Sequence, residues 1–133
     1  MKKVLMILLL MVSPLWCVAQ VYKYVSTDFS WRYYDSVSRR WTSWSDWEDC
    51  SVLVVLNFNR ETITIYSKEV QEYDIVSYED VKDDNEGGQS LKLICVNEDG
   101  LRCHIRIRTL SNGRRQLYVD FNDMMWVYNI DNK

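Results

Sequence analysis

From Val52 to Phe121 apolar and polar residues alternate with a period of two. In "SVLVVLNF" Val52, Val54, Leu56 and Phe58 share one face, and in "TITIYS" Ile63 and Ile65 do. In "SLKLIC" the inward set is Leu91, Leu93 and Cys95. In "LRCHIRIRT" Leu101, Cys103, Ile105 and Ile107 alternate with Arg102, His104, Arg106 and Arg108. In "QLYVDF" Leu117, Val119 and Phe121 alternate with Tyr118 and Asp120. Side chains of a strand point to opposite faces in turn, so this pattern predicts half-buried antiparallel strands. The expected spans are 21–26, 29–35, 40–46, 51–58, 62–67, 71–78, 89–97, 101–110, 114–121 and 124–130. No amphipathic helix is expected beyond the first twenty residues.

The connections read as hairpins. "NRET" (59–62) is expected to set Phe58 opposite Ile63 and Leu56 opposite Ile65. "NEDG" (97–100) reads as a type I turn with Gly100 in a left-handed bulge, which places Cys95 opposite Cys103. "SNGR" (111–114) must form a three- or five-residue loop to keep Ile107 beside Leu117 and Ile105 beside Val119, because a strict two-residue turn would pair inward with outward residues. Short connections imply a meander. A sheet of 8–10 strands with one apolar face must hide that face, so the fold class expected is all-β: a single small antiparallel barrel or strongly curved sheet, with a β-sandwich as the alternative. "MMWVYNI" is apolar on both faces, which suits a last strand that closes against the first. The segment 79–88 is the one long polar loop.

The first residues change the setting. Lys2 and Lys3 precede the apolar run 4–12, Pro14 ends it, and Cys17-Val18-Ala19 offers small residues before Gln20. This is the pattern of a secretory signal, too short to span a membrane stably, with cleavage expected after Ala19 or Gln20. Trp16 before Cys17 and Pro14 at −3 do not suit lipid attachment. The domain reading is therefore 1–19 signal peptide and 20–133 one all-β domain, exported to the periplasm or beyond. Removing nineteen of the 133 residues leaves 114, and loss of two lysines takes the formal charge from −3 to −5. Mild acidity argues against nucleic acid and anionic membranes as partners. Cys50, Cys95 and Cys103 remain, an odd number for an oxidising compartment. A Cys95–Cys103 bridge with Cys50 free is one reading; two packed core thiols is the other.

The stretch "RWTSWSDWEDC" sets Trp41, Trp44 and Trp47 three residues apart. A regular strand would send Trp44 to the face opposite the other two, whereas a chain with about three residues per turn puts all three on one side. "WTSWS" is one residue from the WSxWS box of cytokine receptors, and "WTSWSDWEDCS" is similar to the tryptophan ladder of thrombospondin type 1 repeats. Those ladders interleave arginines through cation–π stacking. The rest of the chain fits neither, having three mature cysteines instead of six and many apolar strands. Over nearly its whole length, the lysine-started signal, the Trp-rich first third and the phrases "VLNFNRETITIYS", "DGLRCHIRI", "QLYVDF" and "VYNI" resemble small exported β proteins of gut Bacteroidetes. Their layout is similar to calycin barrels. This resemblance implies a barrel and carries no assigned activity.

Two readings of the tryptophans stand. They pack at one end of the barrel, capped by Arg39, Arg40 or Arg106. Or Trp41, Trp44 and Trp47, extended by Trp31 and Tyr33 with Tyr22, Tyr24 and Tyr34, form an exposed platform for a sugar ring or a partner protein. The remaining chemistry is thin. His104 is the only histidine, on the polar strand face near Asp120 or Asn122, with no nucleophile placed beside it. Arg102, Arg106, Arg108, Arg114 and Arg115 read as a charged sheet face. Asp80, Asp83, Asp84, Asn85 and Glu86 fail the EF-hand spacing, since Asp83 at position one puts Ile94 at position twelve. No Cys-x-x-Cys motif, second histidine or phosphate loop is present. The expectation is a non-enzymatic exported binding or interaction module without cofactor or metal, its partner an unknown protein, a glycan or a small apolar ligand. The alternative is a carrier holding a small apolar ligand in the barrel.

Overall fold

A computed structural model describes residues 20–84 and 87–133. The expected signal peptide with Cys17, and Asn85 and Glu86 of the acidic loop, lie outside the described residues. Among the described residues ten strands follow in order: β1 Val21–Asp35, β2 Arg40–Trp41, β3 Glu48–Asn57, β4 Thr62–Tyr66, β5 Val70–Tyr78, β6 Lys82–Asp83, β7 Gln89–Asn97, β8 Arg102–Thr109, β9 Arg115–Asp120 and β10 Met124–Asn132. Eight of them pair antiparallel in the cycle β1-β3-β4-β5-β7-β8-β9-β10, and β10 returns to β1. The sheet is therefore a closed barrel, which leaves its long strands no free edge. The two-residue strands β2 and β6 attach to β1 and β7. Among the described residues no helix is long and apolar enough to cross a membrane.

The inward alternation fills the waist. Val54, Ile63, Ile65, Leu93, Cys95, Ile105 and Val119 are fully buried, with Leu117, Leu56, Ile75, Ile130 and Tyr24 around them. An eight-stranded barrel is just wide enough for side chains to occupy its centre. Branched aliphatics from β3, β4, β5, β7, β8, β9 and β10 do so here, and β1 adds Tyr24.

Hairpin chemistry sets the registers. Gly100 adopts φ 81°, its N–H donates to Asn97 O, and Asn97 N–H donates to Leu101 O. Gly113, at φ 85°, repeats the device between Leu110 and Arg114. Both turns need the left-handed residue that glycine tolerates. Cys95 accordingly faces Cys103, Ile105 faces Val119 and Ile107 faces Leu117. The β3–β4 hairpin departs from expectation by two residues, with Leu56 opposite Ile63 and Val54 opposite Ile65. Asn57 causes the shift: its side-chain Oδ1 accepts from the Asn59 and Arg60 N–H groups, so the turn closes one residue before Phe58. A shift of two preserves which residues point inward.

Two spans predicted as separate strands, 21–26 and 29–35, are one strand with a bulge. The pairing of β1 shifts between Val25 and Asp28 against β10, and between Ser26 and Asp28 against β3. An extra residue reverses the inward parity. Tyr24 and Ser26 face in below the bulge; Phe29, Trp31 and Tyr33 lie beside Tyr128, Trp126 and Met124 above it. The predicted strand 40–46 pairs only at Arg40–Trp41, and the 79–88 loop contains β6.

Candidate functional site

Above the bulge the barrel is not filled. A cavity of about 670 Å³ opens at the end that carries the β1–β2–β3 connections and the β4–β5 turn. Phe29 and Trp31 from β1, Val52 from β3, and Met124, Trp126 and Tyr128 from β10 make its apolar wall. Asp49, Cys50 and Ser51 at the start of β3, with Ser67, Lys68, Glu69 and Gln71 around the β4–β5 turn, complete the lining. The opening has a local cause. β4 ends at Tyr66 and β5 begins at Val70, so polar and charged residues of the turn stand where the waist has aliphatic ones.

A hydrogen-bonded net on the cavity wall joins the inward polar groups. Tyr73 Oη donates to Gln71 Oε1 at 2.6 Å, and Gln71 Nε2 donates to Tyr128 Oη at 3.1 Å and Ser67 Oγ at 2.9 Å. Tyr128 accepts here, and Ser67 and Trp126 lie beside the same hydroxyl. The Trp126 Nε1 is buried near that hydroxyl without closing a hydrogen bond. Burial raises the titration of Tyr128 and Tyr73, so both phenols stay protonated near neutral pH. Trp31 Nε1 donates to Glu48 Oε2 at 2.8 Å, which fixes the indole at the rim, and Tyr33 stacks on it at 6.4 Å.

The five aromatic residues singled out in the sequence do not form one platform. Trp31 and Tyr33 stand on the inward side of β1, whereas Trp41 and Trp44 stand on its outer side. After Trp41 the chain leaves strand conformation, and this brings both outer indoles onto Arg32, whose Cζ lies 5.3 Å from the Trp41 ring and 4.7 Å from the Trp44 ring. The partner is Arg32 from the neighbouring strand, not Arg39, Arg40 or Arg106. Trp44 meets Tyr118 edge-on at 6.0 Å, and Arg106 lies 4.3 Å above the Tyr118 ring. Ser45 anchors the segment: its N–H donates to Trp31 O, its Oγ accepts from Trp31 N–H, and its carbonyl accepts from Ser30 Oγ. This outer layer covers Ser30 and Val127, each only 2–3% exposed on the outside of the wall. Trp47 is 49% exposed and, among the described residues, joins no ring contact. Tyr24 is in the core and Tyr22 sits at the opposite end of the barrel.

Cys50, Cys95 and Cys103 are free thiols. The expected bridge is corrected by the hairpin. Asn97 and Leu101 are a hydrogen-bonded pair, so Cys95 and Cys103, two residues further, occupy the wide-spaced kind of pair, where Cβ atoms stand about 5.5 Å apart instead of the ~3.8 Å a disulfide needs. Burial pushes both thiols up to about 12. Cys50, on the cavity wall, is raised by burial and by the nearby Asp28 and Asp49.

His104 is exposed on the outer wall opposite Asp120. The Asp120 carboxylate is taken by Arg106, through Nε at 2.5 Å and Nη2 at 3.3 Å. Arg108 Nε pairs with Asp84 at 2.7 Å, tying the acidic loop to β8. Arg106 and Arg108 therefore serve the outer wall instead of converging on an anion. Among the described residues no three metal-ligating side chains gather. Sequence reasoning missed Phe29, Met124, Trp126 and Tyr128 as cavity residues. The two-sided apolarity of "MMWVYNI" was the signal that could have found the three on β10, since its inner face has fewer opposing side chains than a waist strand.

Comparison with known protein families, with curated proteins and with solved structures finds no match to this chain.

Proposed function

We propose that this protein is an exported, non-enzymatic binding module that holds a small, largely apolar ligand in the open end of its barrel. The observation that carries this reading is the cavity itself. Its volume falls within the range of about 300–1,000 Å³ typical of small-molecule sites. Its wall joins two indoles, a phenyl ring, a phenol and a thioether, while its polar side chains gather at the start of β3 and the β4–β5 turn. The waist below is packed solid, so a ligand is held against a rigid floor, not passed through.

The test uses N-phenyl-1-naphthylamine, a neutral dye that brightens in apolar sites. The mature protein is expected to give a saturable one-site rise, and Trp126→Ala should weaken it at least tenfold while Trp47→Ala leaves it unchanged. A rise that never saturates, or one indifferent to Trp126, overturns the reading.

A second reading has its own observation. Trp44, Trp47, Tyr33, Tyr34 and Val37 are all partly or largely exposed around the 33–47 segment. An exposed aromatic rim of this kind suits a protein or glycan partner. A glycan panel that quenches Trp47 in the native protein but not in Trp47→Phe would favour it.

A further inference from the structure

We propose that the cavity selects organic cations: a quaternary or protonated amine attached to an apolar body. This rests on the small-ligand reading above and names the ligand's chemistry. Three features of the site converge on it. First, the rings that face the cavity are electron-rich. Phe29, Trp31, Trp126 and Tyr128 contribute to the wall, and the faces of such rings attract a cation, with Trp the best. Second, Trp31 is polarised in the helpful sense. Its indole N–H donates to the Glu48 carboxylate at 2.8 Å, and an anion at the ring edge raises the negative charge available on the face. Third, the rim has more negative than positive charge. Asp49, Glu69 and Lys68 line the mouth, and among the described residues none of the three is held in an ion pair, so two free carboxylates stand against one ammonium. A carboxylate ligand would meet the opposite balance of charge.

A cation brought from water must lose part of its hydration, and a quaternary ammonium is weakly hydrated for its charge. Its methyl groups also bury apolar surface. A small metal ion would gain nothing comparable here, since among the described residues no three His, Cys, Asp or Glu side chains gather to hold one.

The matched probes are benzyltrimethylammonium and neopentylbenzene, which have the same shape and differ by the charge. Each is titrated into the mature protein by displacement of N-phenyl-1-naphthylamine and by intrinsic tryptophan fluorescence. The cation is expected to bind at least tenfold more tightly at low ionic strength. Glu69→Gln should weaken the cation two- to threefold and Lys68→Ala should strengthen it by a similar factor; both positions are exposed, so folding is not at stake. Trp31→Leu should remove most of the preference for charge while neopentylbenzene binding persists. If neopentylbenzene binds as well as or better than the cation, cation selection is overturned and the small-ligand reading stands. If neither probe nor the dye binds, the small-ligand reading falls and takes this inference with it.

Discussion

The waist and the open end of the barrel are built from the same strands by the same alternation, yet one is filled and the other is not. At the waist, Val54, Ile63, Ile65, Leu93, Ile105 and Val119 meet across the axis with no exposed surface. At the open end, β1 and β10 run past the β4–β5 turn, and Trp31, Met124 and Trp126 face Ser67, Lys68 and Glu69 across open space. Large flat residues confront short or charged ones there, so the wall cannot interdigitate. The difference shows that inward direction alone does not make a core. Volume must be matched on every facing strand, and where one hairpin is cut short the same pattern produces a cavity.

The largest expected effect would come from the waist. Ile105→Ala should cost about 3 kcal/mol in chemical denaturation, since it leaves a void that close-packed neighbours cannot fill. Met124→Ala, whose side chain already borders the cavity, should cost less than about 1 kcal/mol. Equal losses at the two positions would mean that the open end is packed in solution and would erase the contrast.

Next in size is the response to alkali. The Cys95 and Cys103 thiols are buried among aliphatic side chains and titrate near 12, against an ordinary value of 9.0. A raised folded value means that the stability drawn from keeping these groups neutral is complete below about pH 9 and drains as pH rises towards 12. Tyr73 shifts in the same direction. The melting temperature should therefore fall steeply over that window, and Cys95→Ala with Cys103→Ala should flatten the fall. Cys50→Ala, at the open end, should change it little. A bridge between Cys95 and Cys103 would leave one free thiol on denaturation instead of three, and no thiol component in the pH response.

The smallest effects sharpen the picture on the outer wall. Arg32→Ala removes the cation between Trp41 and Trp44 and loosens the cover over Val127, at about 1–2 kcal/mol. Trp47→Ala should stay within about 0.5 kcal/mol because its ring packs on no other. Thermal melts of the two variants measure the difference. A costly Trp47→Ala would show that all three tryptophans seal the wall.

Much of the fold was legible in the chain. Alternation located nearly every strand, and glycines at 100 and 113 set two registers correctly because their turns depend on one residue's backbone freedom. The β3–β4 register was missed by two because a side-chain bond from Asn57 outweighed the turn suggested by "NRET". The bulge of β1 was read as a break between strands, since one extra residue and a short turn interrupt the alternation in the same way. The site was less legible. Trp31 and Tyr33 were singled out together with Trp41 and Trp44, but parity along an unpaired segment cannot be read from spacing, so their division between inside and outside was hidden.

What the residues determine by themselves is local: which side chains share a face, where the chain can turn left-handed, and that an all-β sheet with one greasy face must curl. Tertiary structure alone decided the register in which the last strand met the first, which arginine entered the tryptophan pair, and that the barrel fills at its middle and gapes at one end. Those outcomes depend on distances between residues far apart in the chain, such as Trp31 and Trp126, and such distances exist only once the sheet has closed.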